Sequence, residues 1–220
     1  MSFPVGALVA AAPSFQRALR KMSKYPREPR VLSQARICFA IGWPGTVLMA
    51  FTAIVLATAD EASRPDDATL GIICCSIMML VCMWFLWIGY KRHFGVDNQK
   101  FWFRFVPFFY REICYADIRR ITFNGVCFGV FGKRKKPIGL AINVFDLTLA
   151  YLRILEEMRI RRFTVGKIEP HDPRWPEAWQ DMRNRLAAEA YRNHQNYYDS
   201  HPAELQELNA LAVGRYPVGS

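Results

Sequence analysis

The sequence predicts an α+β membrane protein: a two-helix transmembrane hairpin, then a bent β-barrel or sheet capped by a C-terminal helix, then a helical tail. Three observations carry this. Two apolar blocks, residues 37–59 and 68–90, contain no charged side chain. Between residues 91 and 143, short β-prone runs alternate with turn signals, and after Asp146 the apolar period becomes helical. The charge is partitioned around the blocks instead of being spread evenly. The 220 residues are 52% hydrophobic and 22% charged, with a net charge of +10. That content excludes disorder, and its segregation excludes a plain soluble globule.

The chain divides into four stretches. Residues 1–36 form a cytoplasmic N-terminal segment. It carries Arg17, Arg20, Lys21, Lys24, Arg27, Arg30 and Arg36 against Glu28, a net +6. Phe15, Leu19 and Met22 share one helical face, so residues 6–24 read equally as a basic amphipathic helix on a membrane surface or as a disordered lead-in. No basic stretch precedes the first apolar residues, so this is not a secretory leader.

Residues 37–90 form the hairpin. Each block of 23 residues makes a helix of about 34 Å, enough for a hydrocarbon core of about 30 Å. Pro44 is placed to kink the first helix. Trp43, and Trp84, Trp87 and Tyr90, favour headgroup zones. The loop of residues 60–67 carries Asp60, Glu61, Asp66 and Asp67 against Arg64, a net −3. Lys91 and Arg92 follow the second block directly. The positive-inside rule puts the loop outside and both termini in the cytoplasm of a multi-pass protein of the cytoplasmic (inner or plasma) membrane.

Residues 91–162 form a cytoplasmic domain. Strands are expected at residues 91–96, 100–106, 109–115, 118–123, 126–131 and 138–143. Phe101, Phe103 and Phe105 alternate with Trp102 and Arg104, the period of a half-buried strand. Asn124-Gly125 is the strongest hairpin signal, because a type I′ turn needs positive φ at both central residues. A helix over residues 146–161 follows. Leu147, Tyr151, Ile154, Leu155 and Met158 fall on one face, Asp146 is suited to the N-cap, and Arg159, Arg161 and Arg162 suit the C-terminal end.

Paired spans, short strands and one amphipathic helix, in that order, resemble the bacterial membrane-anchored PH-like domain families. The stretch Arg111-Glu112-Ile113-Cys114-Tyr115-Ala116-Asp117-Ile118-Arg119-Arg120-Ile121 carries the likeness, with Tyr115, Asp117, Ile118 and Ile121 matching a recurrent aromatic-x-acidic-Ile-x-x-Ile turn. The resemblance implies a split, strongly bent barrel plugged by the helix. That fold has seven strands where the sequence shows six.

Residues 163–220 form a polar tail, net −2, with helices expected at residues 176–194 and 202–212. Trp179, Met182, Leu186 and Tyr191 line the first, and Leu205, Leu208 and Leu211 line the second. Residues 195–200 read as a flexible joint, and the end from residue 213 as frayed. The tail either folds back on the domain or binds a partner.

The motifs of nucleotide-binding loops, nucleophile elbows and zinc proteases are absent. The histidines, His93, His171, His194 and His201, are scattered. The six cysteines form no ligand-spaced pair, so no cofactor and no metal are expected, nor an enzyme. The one sharp site is the basic turn Lys133, Arg134, Lys135 and Lys136, a candidate anionic-lipid contact. Nucleic acid is set aside because alternation sends the rings near Arg104 to the core. The expected role is tethering: an interaction domain held at the cytoplasmic membrane face binds a protein partner or anionic lipid, with the bilayer itself a partner and self-association open. The alternative is a structural or accessory subunit of a larger membrane complex, packing through Gly71, Cys74, Cys75 and Ser76.

Leu155→Asp puts a charge in the middle of the helix's apolar face. It is expected to leave the apolar helices inserted while the rest unfolds, which limited proteolysis reads as loss of a resistant fragment.

Overall fold

The computed structural model describes residues 23–33, 35–58, 68–124, 127–133, 137–142 and 145–213. The expected surface helix of residues 6–24, except its last two residues, lies outside them, as do the acidic loop of residues 60–67 and the chain end from residue 214. Two compact units form: Ser33–His93, and Met1–Leu32 together with Phe94–Ser220.

The first unit is a helical hairpin of α1 (Ala35–Thr58) and α2 (Ala68–Lys91), both within two residues of their expected bounds at each end. Helix α1 runs unbroken through Pro44. Both helices are long and apolar enough to cross a membrane. They pack through small residues. A Cβ on Gly42 would lie 2.7 Å from Leu86, one on Gly45 2.8 Å from Cys82 Sγ, and one on Gly89 2.4 Å from Cys38. Glycine at these places lets the backbones approach. Gly71 meets Leu56 in the same way, at 3.1 Å, so this part of the small-residue stretch serves the hairpin itself, while Cys74 is exposed. The outward faces are apolar along their length, with Phe39, Val47, Phe51, Ile54, Leu70, Ile77, Leu80 and Trp84 among the exposed side chains. The hydroxyls of Thr46, Thr52, Thr58 and Ser76 each donate to the carbonyl four residues back, at 2.7, 2.9, 2.9 and 2.8 Å. Helices that face hydrocarbon must satisfy polar groups internally in this way.

The second unit holds two four-stranded sheets, apart from Ser33, Arg92 and His93 at the ends of the strands that flank the helical hairpin. The six expected strands are present as β2 (Arg92–Val96), β3 (Lys100–Phe105), β4 (Phe109–Cys114), β5 (Arg120–Phe123), β6 (Cys127–Phe131) and β7 (Ile138–Ala141). Two more escaped the sequence. Strand β1 (Arg30–Ser33) precedes the helical hairpin, and the two-residue β8 (Thr164–Val165) follows the domain helix. The orders are β1-β2-β3-β4 and β7-β6-β5-β8. Among the described residues no closed barrel forms. The edge of β5 that β4 would need is taken by β8, which pairs in parallel at Arg120↔Thr164 and Ile121↔Val165. The β5–β6 hairpin forms one residue later than expected. The register Phe123↔Phe128 makes Asn124 the corner of the turn, not its centre. Its side-chain oxygen accepts from the Cys127 N–H at 2.6 Å.

Helix α3 (Thr148–Ile160) begins two residues later than expected. Leu147, Tyr151, Ile154, Leu155 and Met158 are all fully buried. The opposite side is also buried, through Leu149, Ala150 and Leu152. The tail folds back on it. Helices α4 (Trp175–Asn193) and α6 (Pro202–Val213) pack against α3. Trp175 and Trp179 stack with centroids 4.5 Å apart, and the Trp175 indole donates to the Phe163 carbonyl at 3.0 Å. Arg183, fully buried, donates through Nε to the Leu211 carbonyl at 2.9 Å and through Nη2 to the same oxygen. It thereby satisfies a carbonyl of the last turn of α6. The expected flexible joint is instead a short helix, α5 (Gln195–Ser200). Tyr198 is buried, and Tyr197 stacks on His201 at 4.2 Å while donating to Glu204 at 2.6 Å. These two rings anchor a stretch whose polar composition reads as a linker.

In the first sheet, the Trp102 ring lies flat on Gly95. A Cβ there would come within 1.8 Å of it, and the indole N–H donates to Asp97 at 2.9 Å. Gly95→Ala is expected to cost about 2 kcal/mol by overpacking. A Trp102→Leu background should abolish most of that loss, measured as a double-mutant cycle by chemical denaturation.

Candidate functional site

The basic turn joins β6 to β7. Of its four cations, Lys133 is described, and Arg134, Lys135 and Lys136 lie outside the described residues. Lys133 Nζ sits 2.8 Å from Asp117 Oδ1, and both side chains are well exposed. The hydrogen bond and charge of Lys133 hold the Asp117 carboxyl below its ordinary value. An exposed pair of this kind is worth about 0–1 kcal/mol, so an incoming anion can displace the carboxylate at little cost. Asp117 belongs to the motif-like stretch around Tyr115, which folds as a 3-10 turn, Tyr115–Asp117. Tyr115, Ile118 and Ile121 are core residues, and Asp117 faces outward to the basic turn.

A second cluster is buried, and the sequence showed only one of its members. Asp146 Oδ1 accepts from the Thr148 N–H at 3.2 Å and from its hydroxyl at 2.7 Å. The N-cap itself is Leu147, not Asp146 as expected, so the carboxylate holds the first helical residue from one position further out. Its other oxygen gathers groups from distant segments. The N–H and hydroxyl of Ser23 donate at 2.9 Å each, Arg30 Nη1 lies at 3.0 Å, and His194 Nε2 at 3.3 Å. The Asp146 side chain is 1% exposed. Burial alone drives its carboxyl upward, but the hydrogen bonds from His194, the Ser23 N–H and Thr148 outweigh that and hold it well below the ordinary carboxylate range. Arg27 reinforces the same junction through Glu156 at 3.0 Å and Glu207 at 2.7 Å.

Ser23, His194 and Asp146 make a serine, a histidine and a carboxylate in mutual contact, yet they do not form a nucleophilic triad. A triad uses the two ring nitrogens for different partners. Here the same nitrogen, Nε2, faces both Ser23 Oγ, at 3.2 Å, and Asp146, and the serine proton goes to the carboxylate. The depression beside them is shallow and open to solvent, lined by Ser23, Pro26, Glu28, Arg30, Val96, Asp146 and Leu149. It has no interior room comparable with the 300–1,000 Å³ typical of small-molecule sites. The cluster works as an electrostatic clasp. It fastens the segment before β1 to the start of α3 and the end of α4. Ser23 and Arg30 lie 123 and 116 residues from Asp146, and no local sequence signal spans such distances. Among the described residues, no group of three His, Cys, Asp or Glu side chains is placed to hold a metal ion.

No family model matches the chain, no curated protein matches it, and no solved structure matches it. The class defined by the architecture is a mixed α+β chain with two helices apolar enough to cross a membrane and two sheets.

The clasp has a pH signature. The native carboxyl titrates below the unfolded value of about 3.9, so the unfolded state takes up the proton first. The stabilisation is complete above about pH 5 and is lost as the pH falls through the native value. Asp146→Asn leaves Arg30 without its carboxylate and is expected to cost about 3 kcal/mol at pH 7. Its stability should also vary less than the parent's between about pH 5 and 3. Thermal unfolding over a pH series checks both.

Proposed function

We propose that this is an integral membrane protein that tethers an interaction domain to the cytoplasmic membrane face. The observation that carries the reading is the surface of the helical hairpin: apolar outward along both helices, with its hydroxyls bonded to their own backbone. In water such a surface would drive aggregation, and in a bilayer it is matched. The charge pattern, +6 before the helices, −3 between them and +9 over residues 91–162, favours both termini inside. The order of strands followed by one buried helix, with the Tyr115–Ile121 turn, supports a PH-like relationship for the domain.

The task of the domain is to bind an anionic lipid or a protein partner at the membrane, where tethering makes weak contacts sufficient. The basic turn at Lys133, Arg134, Lys135 and Lys136 is the lipid contact, with Asp117 as its resting counter-charge. Each cation close to an anionic surface contributes about 1 kcal/mol.

The protein should stay with the membrane through alkaline carbonate extraction, and release into the supernatant would remove the anchor from the proposal. Full-length protein in neutral nanodiscs should capture anionic vesicles. Replacing Lys133, Arg134, Lys135 and Lys136 together by Ser should reduce capture by at least about tenfold at low salt. Unchanged capture would eliminate the basic turn as the lipid contact.

A further inference from the structure

We infer that the exposed site at the Tyr115–Asp117 turn takes a phosphomonoester, and that Asp117 is the residue that excludes singly charged anions from it. The inference rests on the reading of the basic turn as an anion contact, and it names the ligand class and the residue that sets it.

Three segments of the chain meet here. The Arg119 N–H donates to the Phe131 carbonyl at 2.8 Å, and the Arg119 carbonyl accepts from the Thr164 N–H at 3.0 Å. Gly132 passes the turn so closely that a Cβ on it would lie 3.8 Å from the Asp117 carbonyl oxygen. Lys133 follows directly and reaches Asp117 Oδ1 at 2.8 Å. Ile118 is extended and buried, so the side chains on either side of it, Asp117 and Arg119, turn outward. Arg119 is exposed, and its guanidinium has no hydrogen-bond or ion-pair partner among the described residues. Arg161 Nη2 donates to the Tyr115 carbonyl at 2.8 Å and braces the turn, but its charge is already matched by Glu157 at 2.7 Å. The hydrogen bond and charge of Lys133, then the charges of Arg161 and Arg119, hold the Asp117 carboxyl below its ordinary value. From residue 117 to residue 145, Asp117 is the only acidic residue.

Charge selects the ligand. With Arg161 matched by Glu157, an incoming anion gains Lys133 and Arg119, and it must displace Asp117 to do so. A phosphodiester brings one negative charge. It would exchange one anion for another, while the displaced carboxylate stays attached beside the site and competes at high effective concentration. A phosphomonoester carries about −1.5 to −2 at pH 7 and presents three strong acceptor oxygens. It can meet the ammonium and the guanidinium together, the latter through two parallel N–H donors. Two cations and one displaceable carboxylate therefore match a dianion and discriminate against a monoanion.

In the test, full-length protein in neutral nanodiscs is offered phosphatidylcholine vesicles doped with phosphatidic acid, a monoester, or with phosphatidylglycerol, a diester, at matched surface potential. Capture of the phosphatidic acid vesicles at least about tenfold better is expected. Asp117→Asn should raise capture of the phosphatidylglycerol vesicles and cut the ratio to about twofold. The variant is expected to fold, since an exposed pair adds little to stability, and thermal unfolding checks that. Equal capture of both vesicles by the parent, or a ratio that Asp117→Asn leaves unchanged, would overturn the inference and leave the basic turn a general anion contact. Undiminished capture of both vesicles after replacing Lys133, Arg134, Lys135 and Lys136 together by Ser would overturn the basic-turn reading, and this inference with it. Excess glycerol 3-phosphate separates the two sources of the ligand. Its displacement of the phosphatidic acid vesicles supports a site for free phosphomonoesters. Failure to displace them, with the Asp117→Asn effect intact, supports a site for the lipid headgroup.

Discussion

Burial of α3 on two sides organises the folded unit. A helix with one apolar stripe needs one cover, but Thr148–Ile160 buries Leu149, Ala150 and Leu152 as well as Tyr151, Ile154, Leu155 and Met158. The Phe128 ring meets Tyr151 edge-on at 5.2 Å from the β6 side, and α4 and α6 close over the helix from the tail. At roughly 2 kcal/mol for each fully buried large apolar side chain, this helix carries more hydrophobic stabilisation than any one strand. The polar backbone groups at its ends are then a liability, and each end has a dedicated partner. Asp146 accepts from the Thr148 N–H at the start, and at the other end the Arg161 N–H donates to the Glu157 carbonyl at 2.9 Å.

The clasp around Asp146 extends this organisation to the segment that precedes the membrane-type helices. Ser23, Arg27 and Arg30 are held by carboxylates on and beside α3 and on α6, and β1 then joins β2 in the first sheet. The helical hairpin is thus inserted between two neighbouring strands, with β1 ending at Ser33 and β2 beginning at Arg92. In chain order the helical hairpin takes the place of the connection between these two strands.

Much of this fold was legible because its signals are local. Uncharged runs as long as residues 37–59 and 68–90 admit few structures, and period-two and period-3.6 patterns located six strands and three helices. The failures share one cause. Strand β1 is four residues, half of them polar or charged, and β8 is two residues, so neither carries a period. Each exists because a neighbouring edge needs a partner. The joint at residues 195–200 looked like a linker by composition, and it became a helix because Tyr198 found a buried seat. At the sites the division is the same. The basic turn is visible as four consecutive cations, whereas its counter-charge Asp117 is not.

The sequence by itself determined the two apolar helices, the charge asymmetry around them, the strand-then-helix order and the basic turn. Each follows from near-neighbour chemistry: hydropathy, periodicity and charge along a few residues. Only the tertiary structure decided that the strands form two sheets instead of a barrel, that the tail is half of the cover of α3, and that Asp146 unites Ser23, Arg30 and His194. These depend on which surfaces remain to be covered once the local elements exist. A buried carboxylate or an open sheet edge recruits its partner by proximity in space, at separations of more than a hundred residues that no pattern along the chain records.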